Sequence, residues 1–340
     1  MDPSVIKVSE RELKSLFENF RGKRILVIGD IMLDSYWWGK VDRISPEAPV
    51  PIVHIQKKEY RLGGAANVAL NLSRLGALPL LCGVVGDDAE ASTFFDILKN
   101  ENIDYRAVIS SSSRPTSVKT RVIGNKNQML RIDSEVLESV TPEESSHLLG
   151  KILDLIQDCD LVVFEDYDKG LLNPGFIQSV ISLAQQAGKM VVVDPKKKNF
   201  LAYKGATVFK PNLRELAEGL KMDIDAFSDN LTLCNAARTL LHDQDFKYVL
   251  LTLSERGILL VSAKDCFWLK GHARSVYDVS GAGDTVVSVA SLAMLAGASP
   301  VLAAALANLA GGLVCEKAGV VPIDIKELTT ESLQEFVSEY

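Results

Sequence analysis

The sequence predicts an α/β protein: a doubly wound, mostly parallel sheet flanked by helices, with a small β lid. Three observations carry this. Near-continuous Val/Ile/Leu runs recur along the chain, as expected of strands covered on both faces. Helical patterns alternate with them, which is the signature of βαβ units. Several runs end in Gly, Asp or Asn, and in such sheets ligands bind beyond the carboxyl ends of the strands.

In chain order, residues 1–23 begin MDPSVIKVSERELKSLFENF, which is charged throughout. It reads as a leader helix and lacks the apolar core and small-residue cleavage site of a signal peptide. The expected strands are RILVIG (24–29), LPLLCGVVG (78–86), DLVVFED (160–166), KMVVVD (189–194), ATVFKPN (206–212) and YVLLTL (248–253). GFIQSVISLAQQAG (175–188) and NLTLCNAARTLLHDQ (230–244) read as helices. Residues 36–60 and 105–133 break the rhythm with short β segments punctuated by Pro, Ser and Asn. We assign them to the lid, inserted into one domain over residues 24–330, with 331–340 as a tail.

Residues 285–315 contain no charged side chain. The run is long enough to cross a bilayer. It is rich in Ala, Gly and Ser and is broken by Gly297, Ser299 and Pro300, so we read two successive buried helices. Ser299 caps the second and Pro300 takes its first position.

Composition bounds the function. With 340 residues, 47% hydrophobic and 24% charged, the chain is globular and long enough for two domains or one large domain with an insertion. A net charge of −7 argues against a nucleic-acid partner, because binding that backbone needs a basic face. The five cysteines, scattered and never in a CxxC pair, indicate neither a disulfide framework nor a zinc site. We place the protein in a reducing, cytoplasmic compartment with no membrane association.

Four motifs carry candidate chemistry. In DVSGAGD (278–284) the glycines permit a tight turn, and a helix starting near Asp284 points its free N–H groups and positive dipole end at it. The amides of Gly281, Ala282 and Gly283 would cradle an anion, and Asp284 would take a proton from an attacking hydroxyl; the plain alternative is a cap after a glycine turn. In LGGAANVALNLSRLG (62–76), Gly63 and Gly64 bring backbone close to a ligand, and Asn67 suits sugar hydroxyls or caps a helix. GDIMLD (29–34) sets Asp30 and Asp34 at a strand end, as hydroxyl acceptors or turn formers. In KPNLRE (210–215), Asn212 and Glu215 stand three apart, able to organise water around Mg²⁺ or to cap a helix. Lys119, Arg121 and Arg131 fall in the lid, where a cation can pair with a substrate phosphate.

Over residues 24–325 the chain resembles the ribokinase-like (PfkB) carbohydrate kinases. GGAANVALNLSRLGALPLLCGVVG is similar to that family's first signature and DVSGAGD to its second; NLRE matches its NxxE motif, and TLSERG (252–257) its nucleotide-side segment. GDIMLDSYWWGKVDRISPEAPVPIV, QMLRID and YDVSGAGDTV are similar to the D-glycero-β-D-manno-heptose 7-phosphate kinases in particular. Those enzymes transfer the γ-phosphate of ATP to O1 of the heptose, in ADP-heptose synthesis for lipopolysaccharide core.

The resemblance implies Asp284 as catalytic base and Gly281, Ala282 and Gly283 as anion hole. It puts Asp34, Gly63, Gly64 and Asn67 on the sugar, Asn212 and Glu215 on Mg²⁺ and phosphate, and Lys196, Thr252, Glu255, Gly257 and Asn308 on the nucleotide side. ATP and Mg²⁺ are the expected cofactors, with room for a monovalent cation, and the partner is a second copy joined through the lid. The chain stops soon after the kinase region, so it is expected to be the stand-alone form. Glu165 and Asp168 depart from SDYxKG, and Ser254 replaces a glycine. Another sugar or nucleoside kinase of the family, and a catalytically silent scaffold, remain the rival readings.

Overall fold

The structure is a computed structural model that describes residues 6–271 and 276–337. The elements run α1 (Glu10–Glu18), β1 (Arg24–Gly29), β2 (Ile31–Ile44), β3 (Pro51–Gly64), α2 (Ala65–Arg74), β4 (Leu78–Gly86), α3 (Ala89–Asn100), β5 (Asp104–Ser111), β6 (Val118–Gly124) and β7 (Asn127–Ser134). They continue with α4 (Pro142–Leu155), β8 (Leu161–Glu165), α5 (Pro174–Gln186), β9 (Met190–Asp194), β10 (Val208–Phe209), α6 (Leu213–Leu220), α7 (Asn230–Asp243), β11 (Tyr248–Thr252), β12 (Ile258–Val261) and β13 (Cys266–Leu269). The last three are α8 (Ala282–Leu295), α9 (Pro300–Cys315) and α10 (Ile325–Phe336).

Among the described residues the strands form two sheets. The larger has the order β13-β12-β11-β10-β9-β8-β1-β4-β5, parallel from β11 to β5 with an antiparallel pair at one edge. The chain starts at β1, builds outward through β4 and β5, then returns to lay down β8 to β11 on the other side. The ends of β1, β8 and β9 therefore flank the point where the winding reverses, the usual ligand crevice of such a sheet.

Alternation along each strand divides the core into two layers. Ile25, Val27, Leu161 and Val163 face a layer with α2, α8 and α9, while Leu26, Ile28, Val162 and Phe164 face one with α4, α5 and α7. Local sequence fixes the helix starts. Ser9 with Glu12, and Thr141 with Glu144, form reciprocal capping boxes. The uncharged run becomes α8 and α9, packed on each other, with Ser299 accepting from Leu302 N and Pro300 opening the second helix. None of the described helices is long and apolar enough to cross a membrane.

The smaller sheet, β3-β2-β6-β7, rises from the ends of β1 and β5. It differs from expectation in one part: residues 104–111 are the edge strand of the large sheet, paired in parallel with β4, and only the later part of 105–133 joins the lid. Residues 331–336 complete α10, with Phe336 in the core and Val337 bridging Val8, so that stretch is packed structure. Residues 1–5 of the leader and 338–340 of the tail lie outside the described residues. The expected strand at 206–212 shrinks to Val208–Phe209; Pro211, without an N–H, ends it. Cys234 and Cys266, expected to be unpaired, form a disulfide because β13 folds back beside the strand that α7 covers.

Close approach of β1 and β8 depends on Gly29, whose added Cβ would overlap the Glu165 carbonyl. Gly29→Ala is expected to lower stability by about 1–3 kcal/mol through overpacking, measured by urea unfolding; an unchanged midpoint would show that β8 can shift without cost.

Candidate active site

The site is built where two helices begin. Gly281, at a φ of 80°, caps α8, and Asp284 occupies the third helical position. Gly64, at a φ of 58°, precedes α2, and Asn67 occupies the same position there. The two meet directly: Asn67 Nδ2 donates to Asp284 Oδ2 at 2.6 Å. Asn67 is thus an interhelical donor and caps nothing of its own. The first turn of each helix carries the positive end of the macrodipole, which supports the carboxylate between them.

Tyr167 supplies the second donor, its hydroxyl bonding Asp284 Oδ1 at 2.9 Å. Tyr167 reaches this position because its loop is wound around Asp30. The Asp30 carboxylate accepts from the amides of Tyr167, Lys169 and Leu171 at 2.8, 3.0 and 3.3 Å. Expected on the substrate, Asp30 is instead 3% exposed and committed to shaping this loop. Asp166 holds it from the other side through Asn199 Nδ2 and Tyr203 OH. Asp168 takes a φ of 56° and Ser254 one of 53°, left-handed geometry more natural to glycine.

Of the three cradle amides, that of Ala282 is bonded within the turn, to Val279 O at 3.2 Å. Asp278 stabilises the turn by accepting from Ser280 N and Gly319 N. The cradle residues are partly exposed while Asp284 lies buried beneath them.

Beside Asp284 stand Glu165 and Asp194, at the ends of β8 and β9, and Lys210, which pairs with Asp194 at 2.8 Å. Burial pushes the Asp284 carboxyl up to about 6; the Asn67 and Tyr167 bonds oppose this and the Asp194 charge adds to it. Glu165 is pushed well above the usual carboxylate range by burial, then by Asp194 and Asp284. Burial opposes the charge on Lys196, but Asp194 and Glu215 outweigh it and hold the ammonium above its ordinary range.

The predicted residues segregate into three groups. Asp34 ion-pairs with Arg121 across β2 and β6, and a Cβ on Gly63 would overlap the Asp34 carboxylate. Lys119 is shared between Asp133 and Glu135, and the exposed Arg131 pairs with Asp133, so carboxylates already neutralise the lid cations. Asn212 and Glu215 form a reciprocal capping box at α6, and the other Glu215 oxygen takes Lys196 at 2.5 Å. That is the capping alternative of the sequence reading.

Thr252 bridges Asn212. Gly257 lies against the Leu269 carbonyl, and Asn308 donates to Lys270 O at 2.7 Å, which gathers the nucleotide-side candidates with Glu255 near the β12–β13 edge. Tyr167, Asp194 and Lys210 were not predicted here. The signal for two of them was present: Asp194 ends a strand, and Tyr167 follows one. A midpoint near 6 is expected for Asp284 in a ¹³C-carboxyl NMR titration, and Tyr167→Phe, by removing a donor to the ionised form, moves it upward. A midpoint below 4 would show the carboxylate to be solvated.

The chain matches the pfkB family carbohydrate kinase model over residues 23–326. It is 39% identical over 325 residues to bifunctional protein HldE of Koribacter versatilis, covering 94% of this chain and 66% of the relative. It is 40% identical over 313 residues to the HldE of Desulfatibacillum aliphaticivorans, covering 92% and 63%. The chain thus spans just under two thirds of the length of these curated relatives. Phosphofructokinase-2 of Escherichia coli, in a potassium complex, superposes with a TM-score of 0.78 at 19% identity, over 93% of this chain and 99% of that one. A ribokinase of Arabidopsis thaliana, complexed with ribose and ATP, gives 0.69 at 17% identity, over 91% and 99%. Two glycine-led helix starts meeting at the switch point of a ribokinase-like sheet, together with these matches, make the chain a member of the PfkB family of carbohydrate kinases.

Proposed function

We propose that the chain transfers the γ-phosphate of ATP to O1 of D-glycero-D-manno-heptose 7-phosphate, giving the 1,7-bisphosphate for ADP-heptose and lipopolysaccharide-core synthesis in the cytoplasm. The observation that carries the chemistry is Asp284, held by Asn67 and Tyr167 directly beneath the glycine turn. The heptose assignment rests on the RISPEAPVP and QMLRID segments and on the identity to the HldE proteins.

Asp284 accepts the proton of the attacking hydroxyl, and the free amides of Gly281 and Gly283 face the transferred phosphoryl group. Asp34, Gly63, Gly64 and Asn67 line the sugar side. Lys119, Arg121 and Arg131 are the candidate holders of the 7-phosphate, which must displace Asp133, Glu135 or Asp34 from one of them. Lys196, Thr252, Glu255, Gly257 and Asn308 lie toward the nucleotide. Mg²⁺, when bound with ATP, neutralises charge on the phosphates. The small sheet excludes water, which competes with the sugar hydroxyl.

ATP consumption with heptose 7-phosphate, ribose, fructose and adenosine, followed by NMR of the product, tests this reading. We expect turnover on the heptose alone and a loss of about 10²–10⁴-fold in Asp284→Asn. The base must be ionised, so wild-type kcat/KM falls as pH drops through about 6. Turnover on another sugar would keep the mechanism and replace the substrate; none at all would favour the scaffold.

The homodimer reading is supported by apolar residues exposed on the small sheet, Ile44, Ile55, Tyr60, Leu130 and Ile132. Light scattering is expected to give twice the chain mass, and Leu130→Glu with Ile132→Glu to give a monomer. A wild-type mass equal to one chain at all concentrations would exclude the lid interface.

A further inference from the structure

Glu165 is fully buried at the carboxyl end of β8, and neither carboxylate oxygen has a hydrogen-bond partner. Asp194 faces it in register on β9. One Asp194 oxygen, Oδ2, takes Lys210 at 2.8 Å, while Oδ1 is also unpartnered and buried. One carboxylate oxygen from each of Glu165, Asp194 and Asp284 lies within 4.8 Å of the other two.

Such an arrangement is strongly unfavourable unless something outside the chain completes it, because buried carboxylates need donors, cations or protons. The nearby ammonium groups are already engaged. Lys210 is bound to Asp194 and Lys196 to Glu215. Asp284 has both oxygens occupied, by Asn67 and Tyr167. The three free acceptor oxygens therefore belong to Glu165 and Asp194, two members of a cluster in which one oxygen of each, with one of Asp284, lies within 4.8 Å of the others. Hard divalent cations select oxygen ligands of this kind.

We infer that Glu165 and Asp194 bind a divalent cation directly, in the absence of nucleotide, with Asp284 at the rim of the site. This differs from a cation organised through water at the start of α6, where Asn212 and Glu215 satisfy each other. The inference requires neither a particular sugar nor phosphotransfer activity.

The test is a titration of nucleotide-free protein with Mn²⁺, read by electron paramagnetic resonance, for wild type, Glu165→Gln and Glu165→Ser. Circular dichroism confirms that each is folded. We expect one Mn²⁺ per wild-type chain, a Kd at least tenfold higher in Glu165→Gln, and a rise in wild-type Tm with Mn²⁺ that the variant lacks. A smaller change in Kd, or no Mn²⁺ on nucleotide-free wild type, overturns the inference and leaves a proton as what neutralises Glu165. If Glu165→Gln does not fold, Glu165→Ser carries the same threshold. No sugar or ATP is present, so an error in the substrate assignment cannot produce either result.

Discussion

The hydrogen bond from Asn67 to Asp284 joins the first turns of α2 and α8, and the architecture of the site depends on it. Each residue sits three positions after a glycine at positive φ, Gly64 before Asn67 and Gly281 before Asp284. A Cβ on Gly281 would come to 3.0 Å from Asn67 Nδ2, so that Asn67 would have to give by a few tenths of an ångström. Behind the contact, Asn71 ties the same helices a turn further on, accepting from Thr285 Oγ1 and from Ile323 N. The uncharged stretch of α8 and α9 is what allows such an approach, since small side chains bring helix axes together and leave no charge to solvate.

Burial then sets the electrostatics. Glu165, Asp194, Asp284 and Glu215 crowd one end of the sheet against Lys196 and Lys210. Taking so many carboxylates out of water is costly, and a fold selected for stability alone would replace them with apolar residues. Their retention at the ends of β8 and β9, where the winding reverses, fits a site that handles anionic phosphates together with cations. Asp30 follows a different logic. It is buried as deeply, yet its three amide donors make it a frame for the loop that delivers Tyr167.

Much of the fold was legible because the signals were local. Strand runs such as RILVIG and LPLLCGVVG match β1 and β4 to the residue, since unbroken apolar runs leave little freedom in placing a buried parallel strand. Ser299 and Pro300 fixed the start of α9 for a similarly local reason. What could not be read were choices made by tertiary pairing. Residues 104–111 have lid-like composition but pair with β4, and Cys234 meets Cys266 only because a hairpin returns to the sheet edge. In the site, DVSGAGD and GGAAN announced Asp284 and Asn67 through their glycines, and Asp194 stood at a strand end, whereas Lys210 lies in a run whose pattern reports only strand and turn. Asp30 looked equivalent to Asp34, and only the path of the 167–171 loop separates them.

The small sheet is coupled to the glycine turn by more than proximity. Arg61, on β3, donates to the carbonyls of Ala318 and Val320, and its guanidinium lies 4.8 Å from the Tyr36 ring centre. The Tyr36 hydroxyl accepts from Val320 N, and the neighbouring Gly319 amide donates to Asp278 of the turn. Arg121, whose guanidinium lies 5.2 Å from the Tyr36 ring centre, is also the partner of Asp34. A movement of β2 relative to the main sheet must therefore strain or release the 318–320 loop and, through Asp278, the turn above Asp284. The Asp34–Arg121 pair thus packs against the same tyrosine that bonds the 318–320 loop. The small sheet and the glycine turn therefore meet through one set of contacts, from Arg61 and Tyr36 by way of Val320 and Gly319 to Asp278.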